Sequence, residues 1–220
     1  MERCYFEPVC SAKPCDKAGC IRFLEFKSLI EKSNLPKKYI AYTELTAPDA
    51  DLAAYEQLYG LQMIIDTFVA EGKQIYLWSK ECGNGKTTWA SKLLKAYFAK
   101  IWPGNQFKMR GYFIHVPSFL ERLKDNISDK NDINEVKKCL RDADLVIWDD
   151  VAVKNISEFE IGVLLHLVDF RVSNLKANIY TSNLSRQKLE ALLGQRLTSR
   201  IYNASTVIQF HGIDRRGKNG

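Results

Sequence analysis

No apolar run in this chain approaches the ~18–20 residues needed to span a bilayer. The start, Met1-Glu2-Arg3-Cys4, carries no apolar stretch of the kind a secretory signal requires. A helical membrane protein and a secreted one are thereby set aside, and the cytoplasm is the expected location. Thiols stay reduced there, so the six cysteines call for a reading other than disulfides. Internal repeats and low-complexity segments are also missing. Nor does either sign of charge dominate. The net charge of +6 is compatible with a nucleic-acid partner without requiring one.

What is present suits an ordinary globular protein: 46% hydrophobic and 26% charged residues in 220. That length can bury a sizeable core in one domain with a short appendage. Residues 1–35 hold four of the cysteines and nothing periodic before Phe23–Ile30. A boundary is expected near residues 33–45, with the main domain, 36–220, beyond it. From Leu52 to Val69, Tyr55, Leu58, Leu61, Ile64, Ile65 and Phe68 recur at helical spacing. Short apolar runs then alternate with helical patterns. Strands are expected at Gln74–Ser79, Gly111–Val116, Leu145–Trp148, Asn178–Thr181 and Thr206–Phe210. Helices are expected over Thr87–Trp102, from a capping box at Ser118-Phe119-Leu120-Glu121 to Ile127, and from Ser157 to about Ser173. Strands spaced by helices imply right-handed crossovers and a parallel sheet covered on both faces, an α/β fold.

The first of those strands runs into Lys80-Glu81-Cys82-Gly83-Asn84-Gly85-Lys86-Thr87-Thr88, where a helix begins. Small residues let successive backbone N–H groups face phosphates, a lysine reaches the β/γ oxygens, and a Ser/Thr hydroxyl ligates Mg²⁺. The helix N-terminus favours the same anion. The motif's first glycine is replaced by Lys80, which leaves the GxGKT half intact and bears on turnover more than on binding. About 60 residues on, Leu145-Val146-Ile147-Trp148-Asp149-Asp150 is an apolar strand ending in two carboxylates. Asp149 is the expected Mg²⁺ holder beside Thr87, and Asp150 the group that polarises a water. Asn183, after Asn178-Ile179-Tyr180-Thr181-Ser182, is placed either to sense the γ-phosphate or, with Ser182 and Ser185, to cap a helix. Gly194-Gln195-Arg196-Leu197-Thr198-Ser199-Arg200 sets two arginines one helical turn apart. Arg200, with Arg196 second, is the candidate for a finger reaching a neighbouring subunit's phosphates, and a solvated helix face is the alternative.

Together these segments resemble the AAA+ ATPases of the DnaC/DnaI replicative helicase loader family, especially versions carried by phages of Gram-positive bacteria. The likeness runs over roughly residues 36–216. It implies an AAA+ P-loop NTPase core, ATP and Mg²⁺ as cofactors, and self-association through the ATPase domain. It also implies a bacterial cytoplasm, a hexameric helicase partner and single-stranded DNA. The helix near Ser118–Ile127 would then offer Arg122 and Lys124, with Lys130 beyond it, to phosphates; an ordinary solvated face is the alternative. No lid domain is expected after Gly212-Ile213-Asp214-Arg215-Arg216, although Arg216 is a candidate second sensor.

Cys4, Cys10, Cys15 and Cys20 are spaced x5, x4 and x4 with no CxxC pair. Four thiolates suit tetrahedral Zn²⁺; free thiols and an iron–sulfur cluster are the other readings. Loaders of the family it resembles can carry an N-terminal zinc module that contacts the helicase, so the resemblance implies helicase docking for residues 1–35. Cys82 and Cys139, the latter on a helix, are expected to be packing residues. Competing functions are a nucleotide-binding adaptor that does not hydrolyse ATP and a transposition helper ATPase. A replication initiator is disfavoured for want of a duplex-DNA domain after Arg216.

Overall fold

The structure is a computed structural model and describes residues 4–7, 10, 17–41, 45–125, 130–152 and 155–214. Five parallel strands form one sheet: β1 (Gln74–Trp78), β2 (Gly111–His115), β3 (Leu145–Asp149), β4 (Ala177–Ser182) and β5 (Ser205–Gln209), in the order β2-β3-β4-β1-β5. Four strands are buried nearly throughout, as expected where helices cover both faces.

Alternate residues of each strand feed two separate cores. Ile75, Leu77, Phe113, Leu145, Ile147, Ile179 and Ile208 face one layer. Its helices are α1 (Ile21–Lys32), α2 (Lys37–Ile40), α3 (Leu52–Met63), α4 (Ile65–Ala70) and α5 (Lys86–Ile101). Tyr76, Tyr112, Ile114, Val146, Trp148 and Tyr180 face the other. That layer contains α6 (Val116–Asp125), α7 (Lys130–Asp142), α8 (Glu158–Ser173) and α9 (Arg186–Tyr202). The described part of residues 1–35 belongs to the first core, where Phe6, Phe26, Leu29 and Ile30 pack with α5. Beyond α1, Phe113 N donates to Ser33 O at 2.7 Å and Asn34 Nδ2 donates to Phe113 O at 3.0 Å, tying this segment to the edge strand β2.

Two local expectations change. The periodic stretch 52–69 is two helices, because Ile64 (φ −113°, ψ 22°) leaves the helical region. The helix after β2 starts at Val116, with Pro117 in its first turn where a missing N–H is harmless. Ser118 is therefore inside the helix and not its cap, and its hydroxyl lies 2.8 Å from His115 Nδ1. By contrast, Ser157 caps α8 through a reciprocal box with Glu160, whose carboxylate accepts from Ser157 N at 2.8 Å.

One side chain fastens the lower end of the sheet. Arg171 of α8 has no exposed surface. Its guanidinium donates to Asn178 Oδ1 (2.6 Å), Leu140 O and Ala143 O (2.7 Å each), Asp144 O (3.2 Å) and Ala177 O. The acceptors are carbonyls at and just beyond the end of α7, which no intrahelical donor satisfies, and the starts of β3 and β4. Burial pushes the Arg171 pKa down to about 10, still well above neutral pH. Asn178 extends the seam, accepting from Trp148 Nε1 (2.9 Å) and lying 3.5 Å from Gln74, which accepts from Tyr180 Oη (2.9 Å). Replacing Arg171 with Met should lower the unfolding free energy in urea by about 3–5 kcal/mol, because several buried carbonyls lose their donor at once. Arg171→Lys should recover only part of that, since an ammonium reaches fewer of the acceptors.

Candidate functional site

The strand register brings the chemistry together at the carboxyl ends. Trp78 is opposite Ser182 and His115 is opposite Asp149, so the loop after β1 lies beside the tips of β3 and β4. Such a position is where ligands collect in open parallel sheets. Ser79 N continues the ladder to Ser182 O at 3.3 Å, and Ser79 Oγ accepts Glu81 N at 3.1 Å, starting the turn. Gly83 (φ 69°) and Gly85 (φ 101°) then adopt left-handed conformations that side chains resist. A Cβ at Gly83 would fall 1.7 Å from a carboxylate oxygen of Asp214, so another chain segment also passes close to this backbone.

The loop wraps its own lysine. Lys86, the first residue of α5, is buried, and its ammonium donates to Glu81 O (3.0 Å) and Asn84 Oδ1 (3.1 Å). Thr87 Oγ1 donates to Asp149 Oδ1 at 2.7 Å, and Thr181 Oγ1 donates to the same oxygen at 2.7 Å. Thr181 Oγ1 also accepts Asp150 N at 3.0 Å. That bond helps hold Asp150 in a left-handed backbone (φ 54°), an uncommon conformation for a carboxylate residue and one found at functional sites. A threonine hydroxyl converging on a buried aspartate supplies the hard oxygens that Mg²⁺ prefers. The loop's glycines and lysine fit a polyphosphate. The residues therefore suit a Mg²⁺-nucleotide.

Gly83, Asn84, Gly85, Lys86, Thr87 and Thr88 line a cleft of about 550 Å³ together with Asp149, Asp150 and Asn183. Lys80, Glu81 and Cys82 are exposed, so Cys82 is not the packing residue expected; Cys139 is half-buried against the second core. Helix α9 has Ser185 at its N-cap, so capping does not fall to Asn183. Asn183 Nδ2 lies 3.5 Å from Cys82 Sγ, and its buried Oδ1 has no hydrogen-bond partner among the described residues. An acceptor in that state suits a ligand or water donor.

Arg196 and Arg200 do not join this cleft. Both are exposed, beyond the break in α9 at Gly194 (φ 77°), and Arg200 Nε pairs with Asp169 at 2.7 Å. On α6, Arg122 pairs with Asp132 and Lys124 with Glu160 (3.3 Å); the Lys130 side chain, Ile127 and Arg216 lie outside the described residues. So does Cys15. Cys4, Cys10 and Cys20 are half-buried free thiols, and no group of three or more potential metal ligands occurs among the described residues, so zinc gains no support.

Sequence reasoning missed Thr181, whose hydroxyl binds the Asp149 carboxylate and the Asp150 backbone N–H; its place at the polar tip of a strand flanking β3 was the available signal. It also missed the wall formed by Pro36, Lys38 and Tyr39. That wall is held by Lys95 of α5, whose ammonium donates to Tyr39 O and Ala41 O at 2.7 Å each.

A family model described as the bacterial DnaA ATPase domain matches residues 62–207. No curated protein matches the chain. Among solved structures, the DnaC helicase loader superposes with a TM-score of 0.64 at 23% identity, over 80% of this chain and 100% of that one. DnaI gives 0.63 at 19% identity, over 84% and 95%. A replication initiator DnaA bound to AMPPCP and single-stranded DNA gives 0.61 at 21%, over 82% and 52%. At these identities the likeness establishes the fold, a P-loop core of the AAA+ kind.

Burial, with Lys92 nearby, pushes the Lys95 pKa down to about 8. In the unfolded chain it keeps its proton to roughly 10.4. Between those values the unfolded state binds more protons, so stability should rise with pH across that window. Urea unfolding at about pH 7 and about pH 9.5 should show the unmodified chain gaining about 2 kcal/mol relative to Lys95→Met.

Proposed function

We propose that this chain, which belongs to the bacterial DnaA ATPase domain family, is an ATP-binding and ATP-hydrolysing loader that places a hexameric replicative helicase on single-stranded DNA. The observation that carries the reading is the convergence of Lys86, Thr87, Asp149 and Asp150 in one cleft. The fold shared with the DnaC helicase loader supports the loader role over other uses of that cleft.

In this reading Lys86 and the N–H groups of the loop bind the phosphates, while Thr87 and Asp149 hold Mg²⁺, which supplies charge neutralisation for phosphoryl transfer. Asp150 orients and deprotonates the attacking water, and Asn183 donates or accepts at that water or the γ-phosphate. Arg200, turned away from its own cleft, serves the cleft of a second copy in a homo-oligomer. Residues 1–35 dock on the helicase, and α6 meets the DNA strand. A second reading, an adaptor that binds nucleotide without turning it over, is favoured by Lys80 at the first glycine position and by the short reach of Asp150.

Steady-state ATP turnover with and without single-stranded DNA separates the two. Lys86→Ala should abolish nucleotide binding. Asp150→Asn should keep binding and lower turnover by roughly 10²–10⁴-fold, the range for a lost general base. Arg200→Ala should keep binding and lose turnover only under conditions where the chain self-associates. Co-purification with the replicative helicase, with and without residues 1–35, tests the partner. No measurable turnover in the unmodified chain, with DNA and helicase both present, would favour the adaptor.

A further inference from the structure

Asp51 sits at the N-cap of α3, yet its carboxylate makes no capping bond there. It is almost fully buried, at 1% exposure. A carboxylate withdrawn from water is costly unless its oxygens are hydrogen-bonded, and here the bonds go to a distant part of the chain. After β5, Phe210 N donates to Trp78 O at 2.8 Å, which keeps the chain beside the exit of β1. His211 N and Gly212 N then both donate to Asp51 Oδ1, at 2.6 and 3.0 Å. The approach is close enough that a Cβ on Gly212 would lie 2.5 Å from Asp51 Oδ2.

Held there, Gly212 presents its carbonyl to the phosphate loop. Asn84, with no exposed surface, directs Nδ2 at Gly212 O (3.4 Å) and so turns Oδ1 toward the Lys86 ammonium (3.1 Å). An amide has one acceptor end and one donor end. The carbonyl of Gly212 therefore anchors the donor end of Asn84 while its acceptor end holds Lys86. With that carbonyl displaced, the amide keeps only its contact with the ammonium, so Asn84 holds Lys86 less firmly.

We propose that Asp51 is a positioning residue for nucleotide binding, acting through Gly212 and Asn84 to hold Lys86 at the phosphate site. The inference rests on the reading of the cleft as a nucleotide site. It adds that affinity is set partly by the segment following β5, and by a residue 35 positions before Lys86 that need not touch the ligand.

The test is an anisotropy titration of a fluorescent ATP analogue with Mg²⁺, run beside thermal melting of each variant. Asp51→Ala and Gly212→Ala should each weaken binding about tenfold, whereas Asp51→Asn, which keeps an oxygen acceptor, should stay within about twofold of the unmodified chain. In an Asn84→Ala background, Asp51→Ala should add less than about twofold, because the relay is already cut. Unchanged affinity in both Asp51→Ala and Gly212→Ala, or an equal loss with and without Asn84, would overturn the proposal even if melting temperatures fall. Should Asp51→Ala melt below the assay temperature, Gly212→Ala decides alone. The site reading is judged separately, by binding to the unmodified chain and its loss in Lys86→Ala; no binding at all would overturn both.

Discussion

The geometry of the cleft depends on the parallel register of β1, β4 and β3, and a buried cation ties β4 to the approach to β3 from below. Arg171 reaches the end of α7, the residue just before β3 and the first residue of β4 at once. Five neutral or partially charged acceptors share its charge, so it stays solvated by protein in place of water. A parallel strand pair slipped by one residue would move every side chain to the opposite face. Here a slip would also strand several of those acceptors. Ile147 with Ile179 and Trp148 with Tyr180 thus remain in step up to the tips, where Asp149 and Thr181 meet.

At the upper end the same principle operates with the opposite sign. Asp149 is buried, and two threonine hydroxyls from separate elements donate to one of its oxygens. The loop lysine is likewise enclosed by loop acceptors. Each charge is therefore held by short, neutral hydrogen-bonding groups that a stronger ligand can replace. Preorganised dipoles of this kind stabilise added charge with little rearrangement. The two ends differ in what they permit: Arg171 faces only carbonyls and an amide with nowhere to move, whereas Lys86 and Asp149 border open space.

Much of this was legible in the sequence because the signals are local. An apolar strand, two glycines, Lys86-Thr87 and a following helical pattern identify the loop without tertiary information, and Asp149-Asp150 at a strand end identify its partner. The remainder depended on contacts between distant segments. Ser118 has the composition of a cap, yet Pro117 allows the helix to begin earlier and His115 takes the hydroxyl. Asp51, Gly212 and Asn84 show no pattern in sequence, since 161 positions separate the first two. Thr181 resembles any strand threonine until β4 is paired with β3. Arg171 looks in sequence like a solvated charge near the end of a helix, and its burial follows from acceptors gathered from α7, the approach to β3 and the start of β4.

Arg171 and Arg200 bring these distinctions to bear on assembly. Both sit near the ends of helices in the same layer, and both have acidic neighbours, but only Arg171 has lost its contact with water. The Arg200–Asp169 pair is exposed on both sides. Pairs of that kind contribute about 0–1 kcal/mol, so the guanidinium can exchange Asp169 for a stronger anion at little cost. A triphosphate presented by a second copy is such an anion, with more charge and better geometry for a planar fork. Release of Asp169 would then accompany association, and the break at Gly194 separates this part of α9 from the segment that begins at Arg186. On the proposed finger role, Arg200 would be held loosely in the single chain and ordered only when a neighbour arrived. Nucleotide occupancy and self-association would thereby be linked through one exposed ion pair, while the buried guanidinium at the other end of the sheet keeps the receiving cleft in register.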